Sequence, residues 1–353
     1  MDYYVNPYIK QTERIFPMQG RADYLRYDMN ENPEGLPQEI VDEIRSRITP
    51  EFLATYPEPD RFLTKYAAFI GTDTDHVVAT NGSDMAIRYL LETFGEPGRD
   101  VVTVSPSFEM YRINCSLLGL RHVPVSYRED LTIDVEDIVA AIGTGTRIVV
   151  LLNPNNPVGN VFTDEEFERI LRRTKEVGAV LIIDEAYHYF CRKTFLQYAL
   201  TEENVVILRT FSKLFSLAAV RLGVVIGPPR LLHFMKNAKL SFDVNSIALL
   251  AGETVLDHPE LVGKLQAIAD EGKAYVLQAL TDAGYETKDC AGNFFFVKPH
   301  HDAKHVSQVL ETEKKVLVHP FGNPLLKDLI RVSVGSKSAM EKFVEAFLAA
   351  DQE

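Results

Sequence analysis

Residues 147–187 read RIVVLLNPNNPVGNVFTDEEFERILRRTKEVGAVLIIDEAY, in which two apolar runs flank a segment of helical period. The runs RIVVLL (147–152) and VLIID (180–184) have the length and the branched side chains of buried strands. Between them, TDEEFERILRRTKEVG (163–178) begins with Thr163 as a helix cap, has acidic residues in its first turn and ends at a glycine. This order predicts a βαβ unit, in which a helix connects two parallel strands.

The same alternation continues on both sides of this unit. VVTVS (101–105) and VVILR (205–209) also read as buried strands, and DMAIRYLLETF (84–94) places its apolar residues mainly along one helical face. Strands that alternate with helices indicate an α/β fold with a mostly parallel central sheet flanked by helices. No internal repeat appears, and no linker is long enough to separate independent domains.

The composition argues against nucleic acid as a ligand, against a cysteine metal site and against a membrane-spanning segment. The chain has 353 residues and a formal net charge of −13 without a basic block, so nucleic acid is not an expected ligand. Cys115, Cys191 and Cys290 are far apart and form no CxxC pair, which predicts no metal site and indicates thiols in a reducing compartment. No apolar stretch reaches the roughly 18 residues that span a membrane, and no apolar signal segment is seen. We therefore expect a cytoplasmic protein.

Polar clusters directly follow three of the predicted strands. They are NPNNPVG (153–159), DEAY (184–187) and TFSK (210–213). Because the carboxyl ends of parallel strands form the ligand crevice of an open α/β sheet, we expect the three clusters to converge.

Lys213 is the most informative residue of these clusters. Hydroxyl groups lie close to it in the chain at Thr210 and Ser212, and a guanidinium follows at Arg221. An amine at the end of a buried strand, beside groups that bind phosphate, suits an aldehyde cofactor that carries a phosphate, namely pyridoxal 5'-phosphate. A single lysine is more often a surface residue, so this hypothesis depends on the other segments.

Further side chains of the clusters fit the ring of such a cofactor. Asp184 closes a buried strand, where it either pairs with a protonated pyridine nitrogen or caps the next helix. Tyr187 and Asn156 can donate hydrogen bonds to the ring oxygen. Phe108, just past the strand VVTVS, either stacks on the ring or belongs to the core.

A glycine turn that runs into a helix is predicted to hold the phosphate. In TNGSDMAIRYLL (80–91), the backbone N–H groups of Gly82, Ser83 and Asp84 would face an anion at the start of the helix. Ser83 is equally suited to be an ordinary helix cap.

The ordered segments GSD, PSFEMY, NPNNPVG, DEAY, SK and RLG resemble those of fold-type I aminotransferases, most closely the histidinol-phosphate aminotransferase branch. The resemblance continues at NENPEG (30–35), TYPEPD (55–60), FDVNS (242–246), GNFFF (292–296) and IRVSVG (330–335), nearly end to end. It implies that Lys213 holds pyridoxal phosphate as a Schiff base and later moves protons, that Asp184 pairs with the pyridine nitrogen, and that Tyr187 and Asn156 bind the ring oxygen.

The resemblance also implies how substrate and partner subunit are bound. Tyr56 corresponds to a tyrosine that reaches the cofactor phosphate of the neighbouring subunit, so a homodimer with shared sites is implied. Arg331 corresponds to the arginine that binds the substrate α-carboxylate, and Asn32 lies in a segment that borders the substrate. His319 stands where many relatives have an arginine, and Asp243 stands where an amide is usual.

The implied reaction is transfer of an amino group between an L-amino acid, histidinol-phosphate-like or other, and a 2-oxo acid such as 2-oxoglutarate. An alternative with the same cofactor is an amino acid decarboxylase that resembles threonine-phosphate decarboxylase. A third interpretation is a binding or regulatory protein that has lost catalysis. The presence of Lys213, Asp184 and Arg331 argues against it. The implied architecture is a large cofactor-binding domain (45–245) and a smaller α/β domain formed by residues 1–44 and 246–353.

Overall fold

A computed structural model describes residues 3–12 and 19–352. The strands are, in chain order, β1 (Leu25–Arg26), β2 (Val77–Asn81), β3 (Asp100–Ser105), β4 (Arg121–Ser126), β5 (Thr146–Leu152), β6 (Val180–Asp184), β7 (Val205–Thr210), β8 (Leu222–Ile226), β9 (Glu286–Asp289), β10 (Phe294–Lys298), β11 (Val316–Leu317), β12 (His319–Pro320) and β13 (Ile330–Ser333).

The helices cover these strands. They are α1 (Pro7–Lys10), α2 (Gln38–Ser46), α3 (Pro50–Ala54), α4 (Asp60–Ile70), α5 (Gly82–Phe94), α6 (Glu109–Leu118), α7 (Val135–Ala141), α8 (Asp164–Val177), α9 (His188–Cys191), α10 (Leu196–Thr201), α11 (Pro229–Ala238), α12 (Ser246–Asp257), α13 (Glu260–Asp282), α14 (Ala303–Thr312) and α15 (Lys337–Ala350). Short 3-10 turns lie at Arg21–Asp23, Thr74–His76 and Ala218–Val220.

The central sheet has seven strands in the order β2-β8-β7-β6-β5-β3-β4. Strands β4, β3, β5, β6 and β7 are parallel neighbours, whereas β8 runs antiparallel to both β7 and β2. The predicted α/β fold with a mostly parallel sheet is therefore confirmed.

The predicted βαβ unit is present as β5, α8 and β6. Thr163 caps α8 in a capping box: its hydroxyl accepts from Glu166 N, and the Glu166 carboxylate accepts from Thr163 N. Gly178 ends the helix at φ +71°, a left-handed conformation that glycine adopts without steric cost. The helix thus begins and ends where the sequence predicts, and it aligns β5 and β6 in parallel.

Alternate residues of the central strands pack on opposite faces of the sheet, as the two-residue period of a strand requires. Leu181 and Ile183 of β6 face one core, which also includes helices α4 and α8. Ile182 faces the other core, which includes α5 and α6. Because the sheet is packed on both faces, its strands are held in place, and the ends of the strands can position side chains.

A second, four-stranded antiparallel sheet has the order β12-β13-β10-β9 and packs with α13, α14 and α15 around its own core. β1 pairs in parallel with β11, so a segment near the N-terminus lies beside the C-terminal part of the chain. The domain boundaries given above remain a prediction, and residues 1–2, 13–18 and 353 lie outside the described part. Within the described residues, no helix is both long and apolar enough to cross a membrane.

Candidate active site

The three polar clusters meet at one edge of the central sheet. Leu152, Asp184 and Leu208 are cross-strand neighbours near the ends of β5, β6 and β7. Backbone hydrogen bonds continue past the strands, since Asn153 N donates to Asp184 O and Glu185 N donates to Leu208 O, each at 2.9 Å. The convergence predicted from parallel strands is present in the structure.

The Asp184 carboxylate is buried at this edge with a hydrogen bond on each oxygen. Tyr111 Oη donates to Oδ2 at 3.0 Å, and Ala186 N donates to Oδ1 at 3.1 Å. Burial raises the pKa of Asp184 to about 6, against the opposing effect of these hydrogen bonds. No ion pair involves Asp184 among the described residues. A buried carboxylate that lacks a cation fits the protonated pyridine nitrogen of the expected cofactor.

Tyr111 was not singled out from the sequence. It lies three residues after Phe108 in PSFEMY, so one turn of α6 separates the two rings. Phe108 is half-buried and packs at the border of the core that contains α5 and α6. The helical spacing in this segment was the signal that could have indicated Tyr111.

Tyr187 and Asn156, which were predicted to bind the cofactor, are hydrogen-bonded to Asn30 and Arg331. Asn30 Nδ2 donates to Tyr187 Oη at 3.0 Å, and Arg331 Nη1 donates to Asn156 Oδ1 at 2.6 Å. Arg331 Nη2 donates to Asp28 O at 2.5 Å. The residues assigned separately to cofactor and substrate are thus in direct contact.

Arg331 is fully enclosed on β13. Burial lowers the pKa of its guanidinium, its Nε has no hydrogen-bond partner, and its Cζ lies 5.7 Å from the centre of the Phe294 ring. A buried cation with unused N–H donors is costly without an anion, which fits an arginine that binds a charged ligand.

Asn30 is the residue of NENPEG that enters this network, whereas the sequence pointed to Asn32. Asn30 has a left-handed backbone at φ +54°, accepts from Asn293 through its carbonyl and donates from its N–H to Ser333 Oγ at 2.7 Å. Asn32 instead donates to Ser216 Oγ at 2.7 Å and to Gly35 O at 3.1 Å. Asn32 therefore braces the loop after Lys213, and its role beside the substrate remains a prediction.

Lys213 follows β7 and reaches the same site. Its Nζ donates to Met29 O at 2.8 Å and lies 5.7 Å from the centre of the Tyr187 ring. A cavity of about 30 Å³ borders Lys213, Asn32 and Asn293. The amine is thus placed between the end of the large sheet and the N-terminal segment.

The residues of the predicted phosphate cradle, Gly82, Ser83 and Asp84, form the first turn of α5. The helix begins at Gly82, with Asn81 in the cap position, so the reading of Ser83 as the helix cap is wrong. The cause is the left-handed backbone of Gly82, φ +70°, which turns the chain into the helix two residues earlier. A Cβ on Gly82 would lie 2.6 Å from Arg221 Nη2, so a side chain at this position would displace the guanidinium.

Arg221 connects the cradle to the loop that carries Lys213. Its Nη2 pairs with Asp84 Oδ2 at 3.0 Å, and its Nη1 lies 3.5 Å from Ser212 Oγ. Ser212 N in turn donates to Thr210 Oγ1 at 3.1 Å. These contacts bring the first turn of α5, the hydroxyls of Thr210 and Ser212 and the Arg221 guanidinium close together.

His319 lies opposite Arg331 in the pairing of β12 with β13. The residue is exposed, but its ring makes an edge contact with Phe321. Loss of solvation, and after it the positive charge of Arg331, lowers the pKa of His319 to about 4. His319 is therefore neutral at physiological pH.

Tyr56 lies on the surface of the chain. It is 74% exposed and stacks on the exposed Phe242, with 4.6 Å between ring centres. Asp243 accepts from Tyr89 Oη at 3.2 Å and pairs with Lys239, so it is already neutralised within the protomer.

Glu185 and Arg209 form a buried ion pair next to Asp184, which the sequence analysis did not identify. Arg209 of β7 donates from Nε and Nη2 to Glu185 Oε2 at 3.0 and 2.8 Å, and Thr194 Oγ1 and Phe195 N complete the carboxylate's hydrogen bonds. The pair ties the end of β6 to the end of β7. These two strands present Asp184 and Lys213.

Comparisons with known proteins show the family of this chain. The family of class I and II aminotransferases matches residues 22–347. A histidinol-phosphate aminotransferase from Symbiobacterium thermophilum is 34% identical over 352 residues, which cover 98% of this chain and 96% of the relative. The histidinol-phosphate aminotransferase of Thermotoga maritima is 30% identical over 341 residues, 94% of this chain and 96% of the relative.

Solved structures share the fold. Histidinol-phosphate aminotransferase from Sinorhizobium meliloti, in complex with pyridoxal 5'-phosphate, superposes with a TM-score of 0.90 at 22% identity, over 100% of this chain and 98% of that one. YbdL from Escherichia coli, described with a methionine aminotransferase function, has a TM-score of 0.85 at 19% identity over 98% and 99%. The decarboxylase alternative is not favoured by these relatives. The chain belongs to the family of class I and II aminotransferases and is an enzyme that uses pyridoxal 5'-phosphate to transfer amino groups.

Proposed function

We propose that the cradle at the start of α5 binds the cofactor phosphate and that the ends of β5, β6 and β7 bind its ring. The phosphate would accept hydrogen bonds from the first N–H groups of α5 and from the groups around Arg221, which are contributed by Gly82, Ser83, Asp84, Thr210, Ser212 and Arg221. The Asp84 carboxylate faces Arg221, so Asp84 serves the phosphate through its backbone N–H and not through its side chain.

The ring would be held by Asp184 at its nitrogen, by Phe108 on one face, and by Tyr187 and Asn156 at its oxygen. The contacts within the protein support this assignment. Tyr187 Oη accepts from Asn30, so its own hydrogen is free to be donated, and Asn156 Oδ1 accepts from Arg331, so its Nδ2 group is the one left for a ligand. When bound, the cofactor supplies an electrophilic aldehyde and a ring that accepts electrons from the substrate.

Lys213 would bind the cofactor aldehyde through Nζ and then serve as the base. To take the proton from the substrate α-carbon, its amine must be neutral. Its hydrogen bond to Met29 O gives the free amine a defined resting position. Lys213 would then hand that proton on to the cofactor, after which water would release the substrate as a 2-oxo acid and leave the amino group on the cofactor.

Arg331 would bind the α-carboxylate of an L-amino acid. It is buried, lacks a carboxylate partner among the described residues and keeps an unpaired Nε. A planar guanidinium binds a planar carboxylate through two parallel hydrogen bonds. This buried, uncompensated arginine is the observation that carries the proposal.

The charges around Arg331 favour a carboxylate over a phosphate ester. His319 is neutral at physiological pH. Asp28, whose carbonyl accepts from Arg331, has its carboxylate paired with Arg21 at 2.6 Å, and Arg21 also pairs with Glu31. A dianion would therefore meet one uncompensated cation here. We propose an L-amino acid as the donor and a 2-oxo acid such as 2-oxoglutarate as the acceptor, with histidinol phosphate as a poorer donor.

The enzyme is proposed to act as a homodimer in the cytoplasm. Leu53, Tyr56 and Phe242 are all exposed, line one cleft and form an apolar patch on the protomer. An exposed patch of large apolar side chains is typical of an interaction surface. A second copy that covers it would bring Tyr56 towards the partner's cofactor phosphate. The three cysteines are unpaired, as expected in a reducing compartment.

The test is a panel of amino donors that includes histidinol phosphate, each mixed with the holoenzyme in the absence of a 2-oxo acid. The spectral change of the cofactor reports amino transfer for each donor. We expect transfer from at least one carboxylate-bearing amino acid with a higher second-order rate constant of the half-reaction than from histidinol phosphate. A clear preference for histidinol phosphate would refute the proposed substrate, and release of carbon dioxide without a keto acid would refute transamination.

The variant His319→Arg tests whether the missing positive charge at position 319 is what disfavours histidinol phosphate. It restores a second cation beside Arg331 and should raise kcat/KM for histidinol phosphate by about tenfold, the gain from one charge-assisted contact. His319→Gln, which is neutral like the wild-type residue at physiological pH, is the matched control and should leave that preference unchanged.

A further inference from the structure

Tyr111 is fully buried, yet its hydroxyl is used for one contact, the hydrogen bond to Asp184 Oδ2 at 3.0 Å. The residue is 2% exposed and lies in the core formed by α5, α6 and one face of the central sheet. Burial, followed by the charge of Asp184, raises the pKa of the Tyr111 phenol well above its usual value. Tyr111 is therefore a neutral donor whose position is fixed by packing.

The direction of this hydrogen bond matters for the charge state of Asp184. The titratable groups that face Asp184 are Tyr111, Asp84 and Glu185. The two carboxylates favour protonation of Asp184, and the Glu185 charge is itself engaged by Arg209. Tyr111 is the side chain among the described residues that donates to Asp184, and a donated hydrogen bond favours the ionised form.

The same helix turn holds the two rings of this region. Phe108 precedes Tyr111 by one turn of α6, and α6 packs on α5, whose start forms the phosphate cradle. The Asp184 carboxylate keeps acceptor positions for the pyridine N–H, because each oxygen can accept two hydrogen bonds and one is used on each.

We propose that Tyr111 is a positioning residue that keeps Asp184 ionised and oriented, so that the proton shared between Asp184 and the cofactor stays on the pyridine nitrogen. Without the Tyr111 hydroxyl, the carboxylate becomes the stronger base. The shared proton then moves from the pyridine nitrogen to a carboxyl oxygen, with no proton gained or lost overall. The ring becomes neutral and accepts electrons from the substrate less well. This inference rests on the cofactor and is independent of which donor the enzyme prefers.

The test is Tyr111→Phe, reconstituted with pyridoxal phosphate that carries nitrogen-15 in its ring. The nitrogen chemical shift reports protonation of the ring directly. For the wild type we expect the shift of a protonated pyridine at neutral pH, and for Tyr111→Phe a shift towards neutral pyridine. The kcat should fall by about tenfold, the factor that corresponds to one hydrogen bond to a charged group, with KM nearly unchanged.

Tyr285→Phe is the matched control. Tyr285 also donates to a buried aspartate, Asp351, but lies against α15 in the C-terminal part of the chain. The Tyr285→Phe variant should lose about as much thermal stability as Tyr111→Phe. It should keep the nitrogen chemical shift and the kcat of the wild type. A protonated nitrogen in Tyr111→Phe, or the same change in Tyr285→Phe, would overturn the proposal.

A double-mutant cycle with Asp184→Asn is a second test of whether Tyr111 acts through Asp184. If Tyr111 acts through Asp184, adding Tyr111→Phe to Asp184→Asn should change kcat by less than about twofold, since coupled residues are not additive. An undiminished loss in that background contradicts the inference. Failure of Tyr111→Phe to bind cofactor contradicts it as well, because a bound cofactor with altered protonation is expected.

Discussion

Asp184 is 3% exposed to solvent, and burial raises the pKa of its carboxyl from 3.8 to about 6. A rise of this size corresponds to about 3 kcal/mol that favours the protonated form. Since the folded state binds the proton more tightly than the unfolded state, the free energy of unfolding falls as the pH rises from about 4 to 6, and the loss is complete at neutral pH. The apoenzyme thus bears an unfavourable charge that the cofactor's pyridinium would compensate.

We predict that Asp184→Asn stabilises the apoenzyme at neutral pH by up to about 3 kcal/mol, because the buried charge is removed. The same substitution should weaken cofactor binding. Thermal unfolding of both apoproteins at neutral pH and near pH 4 measures the effect, and the difference should vanish at the lower pH. An Asp184→Asn apoenzyme that is less stable than the wild-type apoenzyme at neutral pH would contradict this prediction.

Arg331 differs from Asp184 because its role concerns the substrate. Replacing it by alanine should weaken binding of an amino acid donor by about 2 to 5 kcal/mol, as expected when one partner of a buried charge pair is lost. The effect should appear in KM more than in kcat of the half-reaction. A primary amine without a carboxylate is the matched control substrate and should react equally with both enzymes. Equal losses for both substrates would assign Arg331 to the cofactor or to folding.

At the scale of elements, β8 closely approaches the start of α5, where the cofactor phosphate is proposed to bind. A Cβ on Gly223 would lie 2.7 Å from both Gly82 C and Ser83 N, which are backbone atoms at the start of α5. Such contacts cannot be relieved by moving a flexible side chain. The absence of a side chain at Gly223 therefore lets the helix start approach the sheet.

Gly223→Ala should displace the start of α5 and raise the cofactor Kd by at least about tenfold, a loss of 1.4 kcal/mol or more. Titration of the apoenzyme with pyridoxal phosphate, followed by absorbance, measures the change. Gly263→Ala is a suitable control, because a Cβ there meets nothing within 4 Å, and it should leave the Kd unchanged. An unaltered Kd in Gly223→Ala would mean that the cradle does not depend on this close approach.

The sequence predicted individual elements well where local signals agree. β6 has the predicted bounds because an apolar run ends at a charged residue, and α8 is bounded by a capping box and a left-handed glycine. The antiparallel direction of β8 was not predicted, since LGVVI resembles the parallel strands and its direction depends on tertiary pairing. α5 begins before its predicted start because Gly82 turns the chain first.

At the scale of the whole molecule, both ends of the chain contribute to the site. The N-terminal segment provides Asn30 and Met29 O, and β13 provides Arg331, about 300 residues away in sequence. Tyr111 and Asn30 lie inside the segments PSFEMY and NENPEG, and they were missed because a segment does not show which of its residues contacts a distant part of the chain. The buried pair of Glu185 and Arg209 was missed for the same reason.

The apolar patch of Leu53, Tyr56 and Phe242 predicts behaviour of the whole assembly. Phe242→Asp places a charge in the proposed interface and should shift the protein from dimer to monomer, which sedimentation velocity detects. Activity should fall with dissociation because Tyr56 is proposed to serve the partner's site. Leu25→Asp, on an exposed apolar residue of β1, is the control and should remain dimeric. A wild-type monomer with full activity would refute the shared site.

The covalent attachment of the cofactor is the most direct measure of this account. Reduction of the holoenzyme with borohydride, proteolysis and mass spectrometry should find the pyridoxyl group on Lys213 and on no other lysine. Lys213→Ala should bind the cofactor without being labelled and should show no amino transfer. A label on another side chain, or no label in the wild-type holoenzyme, would contradict the assignment of the site at the ends of β5, β6 and β7.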